Sequence, residues 1–279
     1  YHSVTVINKR GYNFKESTIY DQIEKGLINI LTKDLPRNNR IKGEKKEIDI
    51  TYKRDVEGHT FENYNTYKDD NPNAIEIQMD TVEGIKDANQ KVLLTLEIVE
   101  IKFLLAFIID HNTQEAVINK MKEFKNTITQ EVFDKIMEIL LTDNGSEFIN
   151  PNKFTELSDN CHIFYCHPNR SNEKGSVENI HEFIRRVIPK GISLNVYNQE
   201  DINLICNNTN SLYRKSLDGK CAFDLVEKYI PLDKLELLGF KKIEDYNVNL
   251  TPQLLGDKNI KNILKHLTKD MIKKANITI

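Results

Sequence analysis

Three carboxylates spread along the chain are of the residue type that phosphoryl transfer needs. Asp80 stands in Met79-Asp80-Thr81-Val82-Glu83-Gly84, Asp143 in Thr142-Asp143-Asn144-Gly145-Ser146-Glu147-Phe148, and Glu178 in Gly175-Ser176-Val177-Glu178-Asn179. Phosphoryl transfer asks little covalent help of side chains. It needs hard cations that activate the attacking oxygen and neutralise the leaving one, with two such ions about 3.5–4 Å apart. Magnesium and manganese take oxygen ligands, so several carboxylates must meet at one point. Each acid alone has a plainer use: an Asp before Asn-Gly suits a turn, and a Glu suits a helix N-terminus. The three together, each on an element that could carry it inward, favour the metal reading.

Those elements are legible in the hydropathy pattern. Ile75, Ile77 and Met79 alternate with Glu76, Gln78 and Asp80, so a strand from Ala74 ends at Asp80 with its carboxylate opposite the apolar row. Lys91–Glu100 and Ile101–Asp110 are two further β-rich runs, and Thr113–Lys125 reads as a helix. A fourth strand, Ile136–Thr142, leads into Asp143. Phe154–Leu157 is a short helix, His162–Cys166 a fifth strand, and Ser176–Val187 a helix whose first turn holds Glu178. This order implies an α/β fold with a five-stranded mixed sheet and helices on both faces. If the fourth strand lies beside the first, Asp80 and Asp143 are neighbours, and Glu178 can close the triangle.

Outside this core, residues 1–35 read as two helices around a Gly11 turn, with Ser17 as the second N-cap, a helix-turn-helix pattern. Residues 36–73 read as a basic and polar linker. Its first part, with Arg37 and Arg40 among the bases, could strap a phosphate backbone. Residues 55–73 look like a plain connector. The core is expected over 74–195, and a helical region over 196–279 with helices at Ile202–Tyr213 and Ala222–Tyr229. Its tail from Lys258 to Lys274 carries six lysines against Asp270, a pattern typical of a solvated helix face. Cys161-His162 and Cys166-His167 invite a zinc reading, but strand alternation would send neighbours to opposite faces.

Bulk properties exclude little. The 279 residues carry a net charge of −3, which argues weakly against a nucleic-acid partner unless bases and acids are segregated. No apolar run is long enough for a membrane span, and the four cysteines are irregularly spaced, so a soluble, cytoplasmic protein is expected. Tyr1 is no natural start, and the chain is expected to be part of a longer product.

The chain resembles the IS-thirty family of bacterial insertion-sequence transposases, within the Asp-Asp-Glu transposase and retroviral integrase group. The three acid-bearing motifs carry the resemblance, with Leu93-Leu94-Thr95-Leu96, Phe164-Tyr165-Cys166-His167-Pro168, Ile184-Arg185-Arg186 and Ile188-Pro189-Lys190-Gly191 in the same order. Arg214-Lys215-Ser216-Leu217-Asp218-Gly219-Lys220 extends it toward the C-terminus. The resemblance implies a ribonuclease-H-like integrase core, with Asp80, Asp143 and Glu178 as catalytic, Mg2+- or Mn2+-binding residues. Glu173 competes as the third acid but precedes Gly175 in a loop. Glu182, one turn beyond Glu178, would support the site. Lys174, Arg185, Arg186 and Lys190, together with Arg37 and Arg40, would hold DNA, and His167 would neighbour DNA or water. The implied activity is cleavage at element ends and strand transfer into target double-stranded DNA, by a homo-oligomer on bacterial, nucleoid-associated DNA, with no membrane partner.

Asn179-Ile180-His181 departs from the family's usual Asn-Thr-Asn, Asn208-Thr209-Asn210 replaces a more apolar stretch, and Asn169 stands where an aromatic is frequent. Such drift is expected of a decaying element copy. It keeps a second class open, a catalytically inactive sequence-specific DNA-binding derivative, beside a nuclease of the same fold that cuts without joining. A purely structural role fits poorly, because three acids at one sheet edge repel one another without cations.

Overall fold

The strands β1 (Glu76–Glu83), β2 (Val92–Ile98), β3 (Phe103–Ile109), β4 (Ile139–Thr142) and β5 (His162–Tyr165) form one sheet in the order β3-β2-β1-β4-β5. The computed structural model describes residues 1–28, 56–85, 87, 89–168 and 170–274. β1, β2 and β3 pair antiparallel, while β1, β4 and β5 pair parallel. This is the expected mixed, ribonuclease-H-like sheet. All seven residues of β2 are buried, as are all four of β4, so helices must cover both faces.

α4 (Gln114–Ile128) makes the crossover from β3 toward β4. Its N-cap Thr113 accepts from the Ala116 N–H, and Val117, Met121 and Phe124 enter the core. Thr129, at φ 81°, ends it and starts α5 (Gln130–Ile136), which buries Phe133 and Ile136. That helix occupies ground expected to be loop and strand, and β4 begins only at Ile139. After β4 come α6 (Asn152–Thr155), β5, and α7 (Gly175–Val187), whose Val177, Ile180, Ile184 and Val187 face the core. β1 also differs from expectation. It runs past Asp80 to Glu83 because β2 keeps pairing with it as far as Val92.

Three helices precede the sheet, the first two being α1 (His2–Lys9) and α2 (Glu16–Glu24) at the N-terminus. They match the expected helical pair, although the N-cap of α2 is Lys15 and not Ser17, and residues 29–35 lie outside the described residues. His2 anchors α1 to the C-terminal region. Its Nδ1 accepts from the Tyr213 N–H (3.0 Å) and its Nε2 reaches the Asp245 carbonyl (3.0 Å). Within the expected connector lies α3 (Phe61–Asp70), started by a Thr60–Asn63 capping box. Its Phe61, Tyr64 and Tyr67 pack at helical spacing on a small cluster of Ala74, Ile139, Leu141, Phe164 and Cys166.

The C-terminal region adds α8 (Gln199–Asn210), α9 (Leu232–Leu237) and α10 (Gly256–Lys274). Ala222–Tyr229, expected as a helix, forms two separate 3₁₀ turns instead. One continuous core joins the sheet to Tyr197, Ile202, Ile205, Phe240 and Leu255. α8 lies along β3, the sheet's edge, and its amide side chains complete that edge. Asn210 Oδ1 accepts from the Leu104 N–H and its Nδ2 donates to the Leu104 carbonyl, both at 2.8 Å. Gln199 repeats the arrangement, accepting from the Ile108 N–H (2.9 Å) and donating to the Ala106 carbonyl (2.8 Å). An edge strand with unpaired backbone groups is thereby closed. Asn210 is fully buried, so Asn210→Leu strands a donor and an acceptor away from water. It is expected to lower stability by about 2 kcal/mol, read as a lower urea midpoint; an unchanged midpoint would dismiss this role.

β2 carries one buried acid, Glu97, with Lys102, Ser176 and Arg214 around it. Burial pushes its carboxyl up to about 7, and those neighbours offset this only in part. The folded-state value lies above the ordinary 4.5, so its contribution to stability is full below about pH 4.5 and is lost as pH rises to about 7. Glu97→Gln is therefore expected to flatten the fall in Tm across that window. Parallel curves for wild type and variant would contradict it.

Candidate active site

The parallel register pairs Glu76 with Ile139, Ile77 with Leu140 and Gln78 with Leu141. Continued by two places, it brings Asp143, just beyond β4, level with Asp80 on β1. The side chains meet at a single cation. Lys174 Nζ lies 3.0 Å from Asp80 Oδ1 and 3.3 Å from Asp143 Oδ2. Lys174, expected as a DNA contact, is only 3% exposed and is the counter-ion of both aspartates.

Backbone geometry fixes each acid. Asp80 Oδ1 also accepts from the Thr81 N–H (2.8 Å), and Asp143 Oδ1 accepts from the Gly145 N–H (2.9 Å), the turn that Asp-Asn-Gly predicts. A Cβ at Gly145 would stand 2.4 Å from Glu147 Oε2 and 2.9 Å from Asp143 Oδ1, so a side chain here would have to push both carboxylates aside. Glu147 is buried and accepts from the Thr81 hydroxyl (2.7 Å). It is a fourth acid beside the site, four residues after Asp143, and no local sequence signal marks it. Burial raises the Asp80 carboxyl above its ordinary range; Lys174 pulls it down and Asp143 pushes it up again. For Lys174, burial lowers the ammonium value, and the pull of Asp80 and Asp143 more than reverses this.

α7 runs beside β1 with one row of side chains along the site. The Val177 N–H donates to Gln78 Oε1 (3.1 Å), His181 Nδ1 lies 3.9 Å from Asp80 Oδ2, and Arg185 donates to the Glu83 carbonyl (2.7 Å). Glu178 is partly exposed and sits on this row between Lys174 and His181, both of which approach Asp80. Glu182 follows one turn later. Glu173 is engaged elsewhere: it accepts from the His167 N–H and pairs with His167 Nδ1, each at 2.8 Å, while His167 Nε2 meets Glu62 (2.7 Å). His167 therefore ties α3 to the loop before α7 and is not a solvent-facing neighbour of DNA. His181 is held neutral: burial, with Lys174 and Arg185 nearby, pushes its ring down to about 3.

The other expected basic residues are dispersed. The guanidinium groups of Arg186 and Arg214 lie over the Phe183 ring at 4.7 and 4.9 Å, and Lys190 is exposed just past α7. Arg37, Arg40 and Asn169 lie outside the described residues. Among the described residues, no three His, Cys, Asp or Glu side chains are already gathered around one metal position. The Cys–His pairs do not converge. Cys161 is buried in the main core, Cys166 joins Phe164 in the smaller cluster, His162 packs on Tyr67 (4.3 Å), and His167 is bonded to acids. The donor set at Asp80 and Asp143 does fit a hard divalent cation: acceptor-only oxygens converge on one positive charge, with Glu178 on the facing helix. No helix among the described residues is long and apolar enough to cross a membrane.

A parallel β1-β4-β5 half, an antiparallel β1-β2-β3 half and acids at the β1–β4 junction define a ribonuclease-H-like core. Among curated proteins, the chain is 28% identical over 187 residues to the probable transposase for insertion-like sequence element IS1161 of Streptococcus salivarius, covering 65% of this chain and 49% of that relative. It is 24% identical over 136 residues to the transposase InsI for insertion sequence element IS30A of Escherichia coli K12, covering 46% of this chain and 35% of the relative. Its curated relatives thus include insertion-sequence transposases, those of IS30 elements among them, and a putative viral integrase, all at modest identity. The chain spans about half the length, or less, of these relatives. The catalytic core domain of BIV integrase overlaps 59% of this chain and 97% of its own, at 17% identity and TM-score 0.38. No family model matches the chain.

Proposed function

We propose that the chain is the catalytic part of a transposase that cleaves DNA at the ends of its element and joins the freed 3′ ends to target DNA. The observation that carries this reading is the convergence of Asp80 and Asp143 on one cation at the β1–β4 junction. Asp80, Asp143 and Glu178 would hold Mg2+ or Mn2+. Bound there, such ions supply the Lewis acidity that raises the attacking oxygen's reactivity and offsets charge on the leaving one. The rigid sheet fixes Asp80 and Asp143, while Glu178 would approach them from the first turn of α7. Lys174 would hand its place between the aspartates to the metal and then have an ammonium free for a phosphate oxygen. Joining two element ends calls for at least two protomers on double-stranded DNA, and Lys190 and Arg186 are candidates for its backbone.

A second reading is a DNA-binding derivative without catalysis. It is favoured by one observation, that no three ligand side chains are gathered in advance among the described residues. The two part in a plasmid assay. The purified chain is incubated with supercoiled target and duplex oligonucleotides taken from the flanks of its own gene, with Mn2+, with Mg2+, or with EDTA. The expected result is nicking and joined product with either metal and neither in EDTA. Duplex binding without nicking under any cation would sink the catalytic reading, and cutting without joining would leave a nuclease.

A further inference from the structure

His181 has its chemistry set by a buried neighbour, Thr95 of β2. The Thr95 hydroxyl has one proton, and that proton goes to the Asp80 carbonyl oxygen, 3.0 Å away. His181 Nε2 lies 2.8 Å from the same hydroxyl oxygen and must therefore be the donor of that contact. With the proton on Nε2, Nδ1 carries a lone pair. It faces Asp80 Oδ2 at 3.9 Å, an acceptor opposite an acceptor, so no hydrogen bond can form between them. A ring pinned by one nitrogen to a backbone-linked hydroxyl, with the other nitrogen presented to a carboxylate, is the arrangement of a metal-ligating histidine and its supporting partner.

The spacing is within reach: donors about 2.0–2.2 Å from one ion stand about 3–3.6 Å apart at octahedral or tetrahedral angles, so the 3.9 Å gap between oxygen and nitrogen closes with a small side-chain shift. His181 also follows Glu178 by three residues on α7, and a Glu-x-x-His pair on one helix face brings both side chains to a common metal. Resting on the metal-dependent reading above, we infer that His181 Nδ1 is an additional ligand at the Asp80–Asp143 site, and that it biases the site toward transition-metal ions over magnesium. The bias follows from ligand type: manganese also favours oxygen but, as a first-row transition ion, accepts an imidazole nitrogen more readily than magnesium, which keeps to oxygen in near-ideal octahedra.

Calorimetric titration of the EDTA-stripped chain with Mn2+ and separately with Mg2+, with duplex oligonucleotide present, tests this without reference to turnover. His181→Asn is expected to weaken Mn2+ binding by about tenfold or more while Mg2+ binding changes little, since even the supporting partners of ligands are worth that much. Thr95→Val, which keeps the ring and releases its pinning, is expected to weaken Mn2+ in the same direction, and it serves as the readout if His181→Asn does not fold. Unchanged Mn2+ binding in both variants overturns the inference. So does a parallel loss of both metals, which would make His181 a support for Asp80 alone. An Asp143→Asn control separates the layers. If wild type binds no Mn2+, or if binding survives Asp143→Asn, the metal reading of the site itself fails. If only Asp143→Asn abolishes binding, that reading stands and the histidine inference falls.

Discussion

Asp80→Asn, Asp143→Asn and Glu178→Gln are each expected to lower metal-dependent DNA joining by about a thousandfold or more, with duplex binding retained. A metal's stabilisation of transition-state charge is worth several kcal/mol, and each 1.36 kcal/mol is a factor of ten in rate. An amide keeps the size of the carboxylate but removes its charge, so the ion it helps to hold is lost without opening a cavity. Glu173→Gln is the informative contrast. Its carboxylate is 7% exposed and bonded to His167, which is bonded in turn to Glu62 on α3. Its replacement should lower thermal stability while most joining activity survives. Joining assays on the four proteins, beside gel-shift binding and a melting curve for each, measure all of this. Wild-type joining by Asp80→Asn or Asp143→Asn would remove the site assignment. Loss in Glu173→Gln with full activity in Glu178→Gln would reverse the choice of third acid.

That choice illustrates what sequence carries and what it does not. Asp80 and Asp143 were legible because strand alternation and an Asp-Asn-Gly turn are local, and because a sheet with β4 beside β1 makes them neighbours. The place of Glu178 in the first turn of α7 was legible from the helix pattern after the fifth strand. The occupation of Glu173 by His167 was not, since the second half of that bridge comes from Glu62, 105 residues away in sequence. α3 was hidden because its polar residues outnumber Phe61, Tyr64 and Tyr67, the apolar face that packs on the sheet. Asn208-Thr209-Asn210 looked like drift away from an apolar stretch. In the fold all three are buried, Asn208 accepts from the Asn249 N–H (2.7 Å), and Asn210 completes the β3 edge. An amide that satisfies a strand edge is indistinguishable from a stray polar residue until the strand's neighbours are known. Lys174 belongs to the same class. A lysine in a loop before a helix reads as a surface cation, and only the 3₁₀ turn at Ser171–Lys174 aims it inward.

Its position answers a question the acids raise by themselves. Carboxylates gathered at one sheet edge repel, and in the protein without metal the Lys174 ammonium offsets that repulsion. Lys174→Met keeps the length and apolar stem but leaves Asp80, 16% exposed, facing Asp143 without a cation. Breaking a buried ion pair by removing one partner destabilises by about 3–5 kcal/mol. Asp143 is 47% exposed and partly screened by water, so a loss of about 3 kcal/mol is expected here. Urea unfolding in EDTA measures it. Competition for the same two carboxylates sets the sign of the metal effect. In the variant a divalent ion enters a site with no resident cation, so Mn2+ should recover most of the lost stability. In wild type the ammonium must first leave, so the same Mn2+ concentration should raise the urea midpoint less. If Lys174→Met unfolds at the wild-type midpoint in EDTA, the ammonium does not hold the acids together. If Mn2+ stabilises both proteins equally, metal and ammonium do not compete for the same carboxylates.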